Sequence, residues 1–130
     1  ACTDVTGFGL LGHLVEMARP SEVDVELDLN ALPLLDGALD CVRNGIFSSL
    51  QPQNVRLRRA IRADSNGGRE SELLPLIFDP QTAGGLLATV PEAEAEGCVD
   101  ALHEAGYPTA TVVGRILPQS NHLEPITLLG

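Results

Sequence analysis

The chain has 130 residues, 44% of them hydrophobic, and a formal net charge of −10. That length suits one domain able to bury a core, and 21 Leu argue against a disordered chain. Eighteen acids against eight Arg and no Lys leave no basic footprint for nucleic acid, and no apolar run approaches the roughly 18 residues of a membrane span.

Taken in chain order, Ala1–Thr6 reads as a strand end or extended entry, and Gly7–Gly9 as a tight turn. Leu10, Leu11, Leu14, Val15 and Ala18 recur at helical spacing, which predicts a helix over Phe8–Arg19, stopped at Pro20. Val23, Val25, Leu27 and Leu29 alternate with Asp24, Glu26 and Asp28, the pattern of a half-buried strand. Its acidic face should look at solvent or at a basic neighbour. Leu34, Leu35, Ala38, Leu39 and Val42 form a second helical stripe, with Gly45 past its end. Ser48–Gln53 reads as a loop. Asn54 is placed to cap a helix running to about Arg62, and Ser65–Gly68 is a turn. A further helix is expected over Glu70–Ile77, then a punctuated loop at Asp79–Gly85 and a buried apolar strand at Leu86–Val90. Pro91 opens a helix to Ala105, with Glu92, Glu94 and Glu96 near its positive end and Gly106 closing it. Strands are expected at Thr109–Leu117 and Ile126–Leu129. Strands and helices mix without a clean β-α alternation, so the expected fold is α+β, a layered α/β sandwich with a mixed β-sheet packed with helices.

Three widely spaced cysteines, Cys2, Cys41 and Cys98, make neither a disulfide framework nor a zinc site. A reducing, cytoplasmic setting is the simplest reading. Cys41 and Cys98 fall in apolar helical patterns and read as small core residues. Arg56, Arg58, Arg59, Arg62 and Arg69 cluster, a stretch able to hold an anion locally, but the plainer reading is a solvated helix face. His13 sits on a more polar helix face than Leu10 or Leu14, and neither it nor His103 or His122 makes a metal constellation. Each is a weak candidate for a catalytic base.

Two segments carry chemistry. In Asp4-Val5-Thr6-Gly7-Phe8-Gly9-Leu10-Leu11-Gly12-His13, an acid ends an extended segment and a glycine turn leads into a helix. Glycines let backbone approach a ligand, helix-start N–H groups favour phosphate, and an acid before the turn suits Mg²⁺, which takes one or two carboxylates plus phosphates. A helix with a glycine entry turn explains the same pattern, and on the pattern alone is the stronger reading. The second segment is Asp79-Pro80-Gln81-Thr82-Ala83-Gly84-Gly85, ahead of the Leu86 strand. Paired glycines there point to tight backbone packing or close approach of another segment.

Together, T-D-V-T-G-F-G-L-L-G-H at Thr3–His13 and D-P-Q-T-A-G-G-L-L at Asp79–Leu87 resemble the C-terminal half of the selenide, water dikinase (selenophosphate synthetase) family. The resemblance covers nearly the whole chain. It departs at Ala83, where the family commonly has Ser, and does not extend clearly over Ser48–Arg62. It implies the C-terminal domain type of the aminoimidazole ribonucleotide synthetase superfamily. It also implies that residues 1–130 form one domain of a two-domain enzyme, an expectation in keeping with a chain that starts at Ala1 and not Met. The family makes selenophosphate from selenide, ATP and water, releasing AMP and phosphate, with Mg²⁺. The resemblance implies Asp4 as a metal ligand, Thr6, Gly7 and Gly9 as the loop around it, and Asp79, Gln81, Thr82, Gly84 and Gly85 as further residues facing the nucleotide cleft or domain interface. The Lys, the reactive Cys or selenocysteine and the other Asp ligands belong to the family's N-terminal domain, so no catalytic residue is expected here and the isolated domain should be inactive. Its partners would be ATP, selenide, its own N-terminal domain and, in the full-length enzyme, a second copy, with neither nucleic acid nor membrane. A domain parted from its neighbour should expose an apolar patch. Two other readings are another member of the superfamily, of the thiamine-monophosphate kinase or hydrogenase-maturation type, and a stand-alone, non-catalytic interaction module.

Overall fold

A computed structural model describes residues 1–65 and 67–130; the centre of the expected Ser65–Gly68 turn lies outside the described residues. Strand β1 (Cys2–Asp4) leads through the Thr6–Gly9 turn into helix α1 (Gly9–Ala18) and then strand β2 (Val23–Asp28). Helices α2 (Ala38–Arg43) and α3 (Gln51–Asn54) follow, with α3 running directly into a 3-10 helix at Val55–Ala60. A second 3-10 helix, Leu74–Phe78, precedes strand β3 (Leu86–Ala88). Helix α4 (Ala95–Glu104) and strands β4 (Gly114–Pro118) and β5 (Ile126–Leu129) complete the chain. The result is α+β, with mixed sheets packed with helices.

The main sheet has the order β4-β2-β5. β2 is central because it pairs along both edges: Val25 faces Ile116 of antiparallel β4 and Ile126 of parallel β5. Alternation sends Val25 and Leu27 into the core against Leu11, Leu14, Val15 and Ala18 of α1, Ile77 and Phe78 of the second 3-10 helix, and Ile126 and Leu128 of β5. Leu11, Leu27, Leu29, Ile77, Ile126 and Leu128 are almost wholly buried, each contributing about 1.5–3 kcal/mol of transfer free energy. β1 and β3 form a separate antiparallel ribbon, with Cys2, Thr3 and Asp4 opposite Ala88, Leu87 and Leu86.

Several expectations are corrected. Asn54 does not cap a helix to Arg62; it ends α3, and the chain beyond it is 3-10 only to Ala60. Part of Ser48–Gln53 is thus helical. The helix expected over Glu70–Ile77 is confined to the 3-10 turn at Leu74–Phe78, where Pro75 is accommodated in the first turn. The Leu86–Val90 strand is shorter and less buried than expected: only Leu87 is buried, while Leu86 points outward. β4 starts at Gly114, opposite Leu27 near the end of β2, and not at Thr109. α2 and α4 bury no residue fully, so Cys41 is exposed and Cys98 only half-buried, and neither is a core residue. Arg62 leaves the solvated cluster to pair with buried Asp24, the one acid of β2 that turns inward to a basic neighbour.

Candidate functional site

The two glycine-containing segments, far apart in sequence, are zipped together along their length. Val5 N–H donates to the Gly85 carbonyl at 2.9 Å, and Gln81 N–H donates to the Thr6 carbonyl at 3.0 Å. Gly84 packs so closely on the Val5 carbonyl that a Cβ there would overlap the oxygen. Gly9 has φ +72°, and a Cβ on it would lie 2.9 Å from the Ile77 carbonyl oxygen and 3.0 Å from that of Asp79. Glycine is therefore required at both positions: at Gly84 by close approach, at Gly9 by both its left-handed backbone and the contact. The pattern's structural and ligand-facing readings describe the same turn, since the packing that needs glycine also fixes where Asp4 ends β1.

Two buried polar side chains hold the turn from below. His13 Nε2 accepts from Thr6 N–H at 3.0 Å and lies 3.1 Å from Thr6 Oγ1. A backbone donor on Nε2 makes that nitrogen the acceptor of a neutral ring, so the proton sits on Nδ1. Nδ1 lies 3.5 Å from a Glu16 carboxylate oxygen and makes no hydrogen bond of ordinary geometry. The Phe8 ring tilts over the imidazole, their centroids 5.7 Å apart. Asn54 Nδ2 donates to the carbonyls of Gly7 at 2.8 Å and Phe78 at 3.0 Å, tying the first segment to the lead-in of the second. Both residues escaped the sequence reading in this role. His13 is buried, not on a polar face, and Asn54 clasps two remote carbonyls instead of capping its own helix. The nearest sequence signal was a His one turn into the helix that follows the glycine turn.

Among the sequence-predicted residues, Asp4 is exposed at the end of β1, and its carboxylate makes no hydrogen bond or ion pair among the described residues. Thr6 and Gly9 are ordered by the bonds above, while Gly7 is exposed with its carbonyl engaged. Asp79 is half-buried, and burial pushes its carboxyl above the usual carboxylate range. Gln81 Nε2 reaches back to it at 3.4 Å. Thr82 and Gly85 are exposed, and Gly84 is half-buried against Val5. The structure thus joins both segments in one patch with Asp4 at its edge. As a hard oxygen donor, the free Asp4 carboxylate fits Mg²⁺ as one ligand. No group of three His, Cys, Asp or Glu placed to hold a metal occurs among the described residues.

Residues 1–123 match the family described as AIR synthase related protein, C-terminal domain. The chain belongs to that family. This AIR synthase-related domain is also 42% identical over 122 residues to the selenide, water dikinase of Geobacter metallireducens, covering 94% of the chain and 35% of the relative. It is 40% identical over 119 residues to that of Caldanaerobacter subterraneus subsp. tengcongensis, covering 89% and 33%. It is 36% identical over 119 residues to that of Clostridioides difficile, covering 90% and 33%. The domain spans about a third of the length of these curated relatives. Among its described residues no helix is long and apolar enough to cross a membrane.

Proposed function

We propose that this domain is the C-terminal part of a selenide, water dikinase. In this reading the parent enzyme makes selenophosphate from selenide, ATP and water, releasing AMP and phosphate, in the cytoplasm. The observation that carries the reading is the identity of 36–42% to relatives of that name over 89–94% of the chain. The joined segments support it, because they set the exposed Asp4 carboxylate at the end of β1, two residues before a turn held by backbone contacts.

Phosphoryl transfer asks a protein chiefly to position phosphates and neutralise charge. Asp4 would hold Mg²⁺ together with carboxylates of a preceding domain and with ATP oxygens; the bound ion would neutralise phosphate charge. The Thr6–Gly9 turn would present backbone to the nucleotide, and Asp79, Gln81, Thr82, Gly84 and Gly85 would face the same cleft. One carboxylate cannot compete with the hydration of Mg²⁺, so the domain alone would bind Mg²⁺ or ATP weakly and turn nothing over.

Phosphorus NMR of the full-length protein with selenide, ATP and Mg²⁺ tests this. Selenophosphate and AMP are expected from the wild type, with at least a roughly tenfold loss in Asp4→Asn. An ATP-consuming parent that yields no selenophosphate belongs to another branch of the superfamily. An unaffected Asp4→Asn enzyme reduces Asp4 to the end of a strand.

A further inference from the structure

We infer that His13 is a positioning residue that holds Asp4 in place for the metal, acting through Thr6. The inference rests on the proposed role of Asp4. Along β1, the peptide groups that face β3 are satisfied by that strand: Val5 N–H donates to Gly85, as Thr89 N–H donates to Ala1. Thr6 N–H points the other way, where no strand lies. His13 Nε2 supplies the acceptor that a third strand would otherwise provide.

The ring reaches that position because Gly9, at φ +72°, reverses the chain and brings the second turn of α1 back beneath its own entry loop. The His13 side chain is 8% exposed, so water does not replace it readily. With Asn54 on the Gly7 carbonyl and Gln81 N–H on the Thr6 carbonyl, three of the four backbone polar groups of Thr6 and Gly7 are engaged. Asp4 lies two residues before this anchor, and its exposed side chain makes no hydrogen bond or ion pair among the described residues. The direction of its carboxylate is therefore inherited from backbone. Partners that orient a metal ligand from behind act in this way, and their loss typically costs about 10–100-fold in metal affinity or activity.

The test uses the full-length enzyme, titrating Mg²⁺ at saturating ATP and measuring selenophosphate, with the Mg²⁺-dependent rise in melting temperature as the readout that needs no turnover. His13→Ala should raise the Mg²⁺ concentration for half-maximal rate by roughly tenfold. His13→Gln, whose amide oxygen can accept from Thr6 N–H, should recover most of the loss. Leu14→Ala, a neighbouring core truncation that leaves Thr6 untouched, should lower the melting temperature without moving the Mg²⁺ dependence. The inference is overturned if His13→Ala folds and keeps the wild-type Mg²⁺ dependence, or if Leu14→Ala shifts that dependence equally. Should His13→Ala fail to fold, His13→Gln decides: a Mg²⁺ dependence near wild type supports the inference, and one as weak as that of Asp4→Asn overturns it. Asp4→Asn, measured alongside, separates the two claims. If it leaves the Mg²⁺ dependence unchanged, the metal role of Asp4 fails; if it weakens the dependence while His13→Ala does not, only the role of His13 fails.

Discussion

Gly9→Ala probes the joint between the two segments most directly. The residue holds φ +72°, a backbone region that costs an L-residue about 1–2 kcal/mol. The new methyl carbon would also lie 2.9–3.0 Å from backbone atoms of Ile77, Phe78 and Asp79, none of which can swing aside as a side-chain tip would. Overpacking of this kind adds about 1–3 kcal/mol. The sum, about 2–5 kcal/mol, corresponds to a melting shift on the order of 10 °C for a domain of this size. Thermal unfolding followed by circular dichroism measures it. Gly7→Ala is the control two residues away, since nothing lies within 4 Å of its built Cβ and its φ is not positive; its effect should stay within about 0.5 kcal/mol. Equal, small shifts in both variants would refute the view that the start of α1 is locked against Ile77–Asp79.

Three other outcomes are expected. Asn54→Ala leaves the carbonyls of Gly7 and Phe78 without their shared donor and should cost about 1–3 kcal/mol in a denaturant titration. Burial raises the Asp24 carboxyl, but hydrogen bonds from Ser120 and the Arg62 guanidinium outweigh it and hold the group below its ordinary range; stability from Asp24 is therefore present above about pH 4 and lost as pH falls further, so wild type should lose more stability across that acid limb than Asp24→Asn. The Asp79 carboxyl is raised by burial, so its ionised form opposes folding above its folded pKa and the effect vanishes below its unfolded one; Asp79→Asn should melt slightly higher than wild type at pH 7 and no higher at pH 3.

Periodic elements were legible in the sequence because burial of one face imposes a period. α1, β2 and β5 each bury residues at the expected spacing. The punctuated segments were legible as places where backbone comes close, and Gly9 and Gly84 supply the contact that the pattern called for. What their partners were was not legible: each segment meets the other, and nothing local to Val5 says that its N–H donates to Gly85. His13 and Asn54 were missed for the same reason. A single polar side chain that serves a carbonyl or amide of a remote turn leaves no period, and local rules assign it to a helix face or a cap. Asp24 was half-legible: the strand pattern allowed it a basic neighbour, but only the fold identifies Arg62. Phe8, Leu35, Ile46, Leu50 and Leu86 are exposed apolar residues, and nothing local to each of them says whether a partner covers it.

The β1–β3 ribbon has a bearing on how the protein behaves between its folded and unfolded limits. It is held by three residue pairs, of which one member, Leu87, is buried, and it closes a stretch of roughly eighty residues. The three-stranded sheet holds the better-buried half of the domain. Parting the ribbon exposes little apolar surface, so it is an inexpensive local opening, well below the free energy of global unfolding. A molecule in that state keeps β2, its two partners and most of the core, and a far-ultraviolet spectrum would count it as native. It would nevertheless have lost the register that sets Asp4 opposite Leu86. The fraction of molecules competent at this patch is thus a separate quantity from the fraction folded, and amide exchange at Val5 and Thr89 reports the first while melting curves report the second.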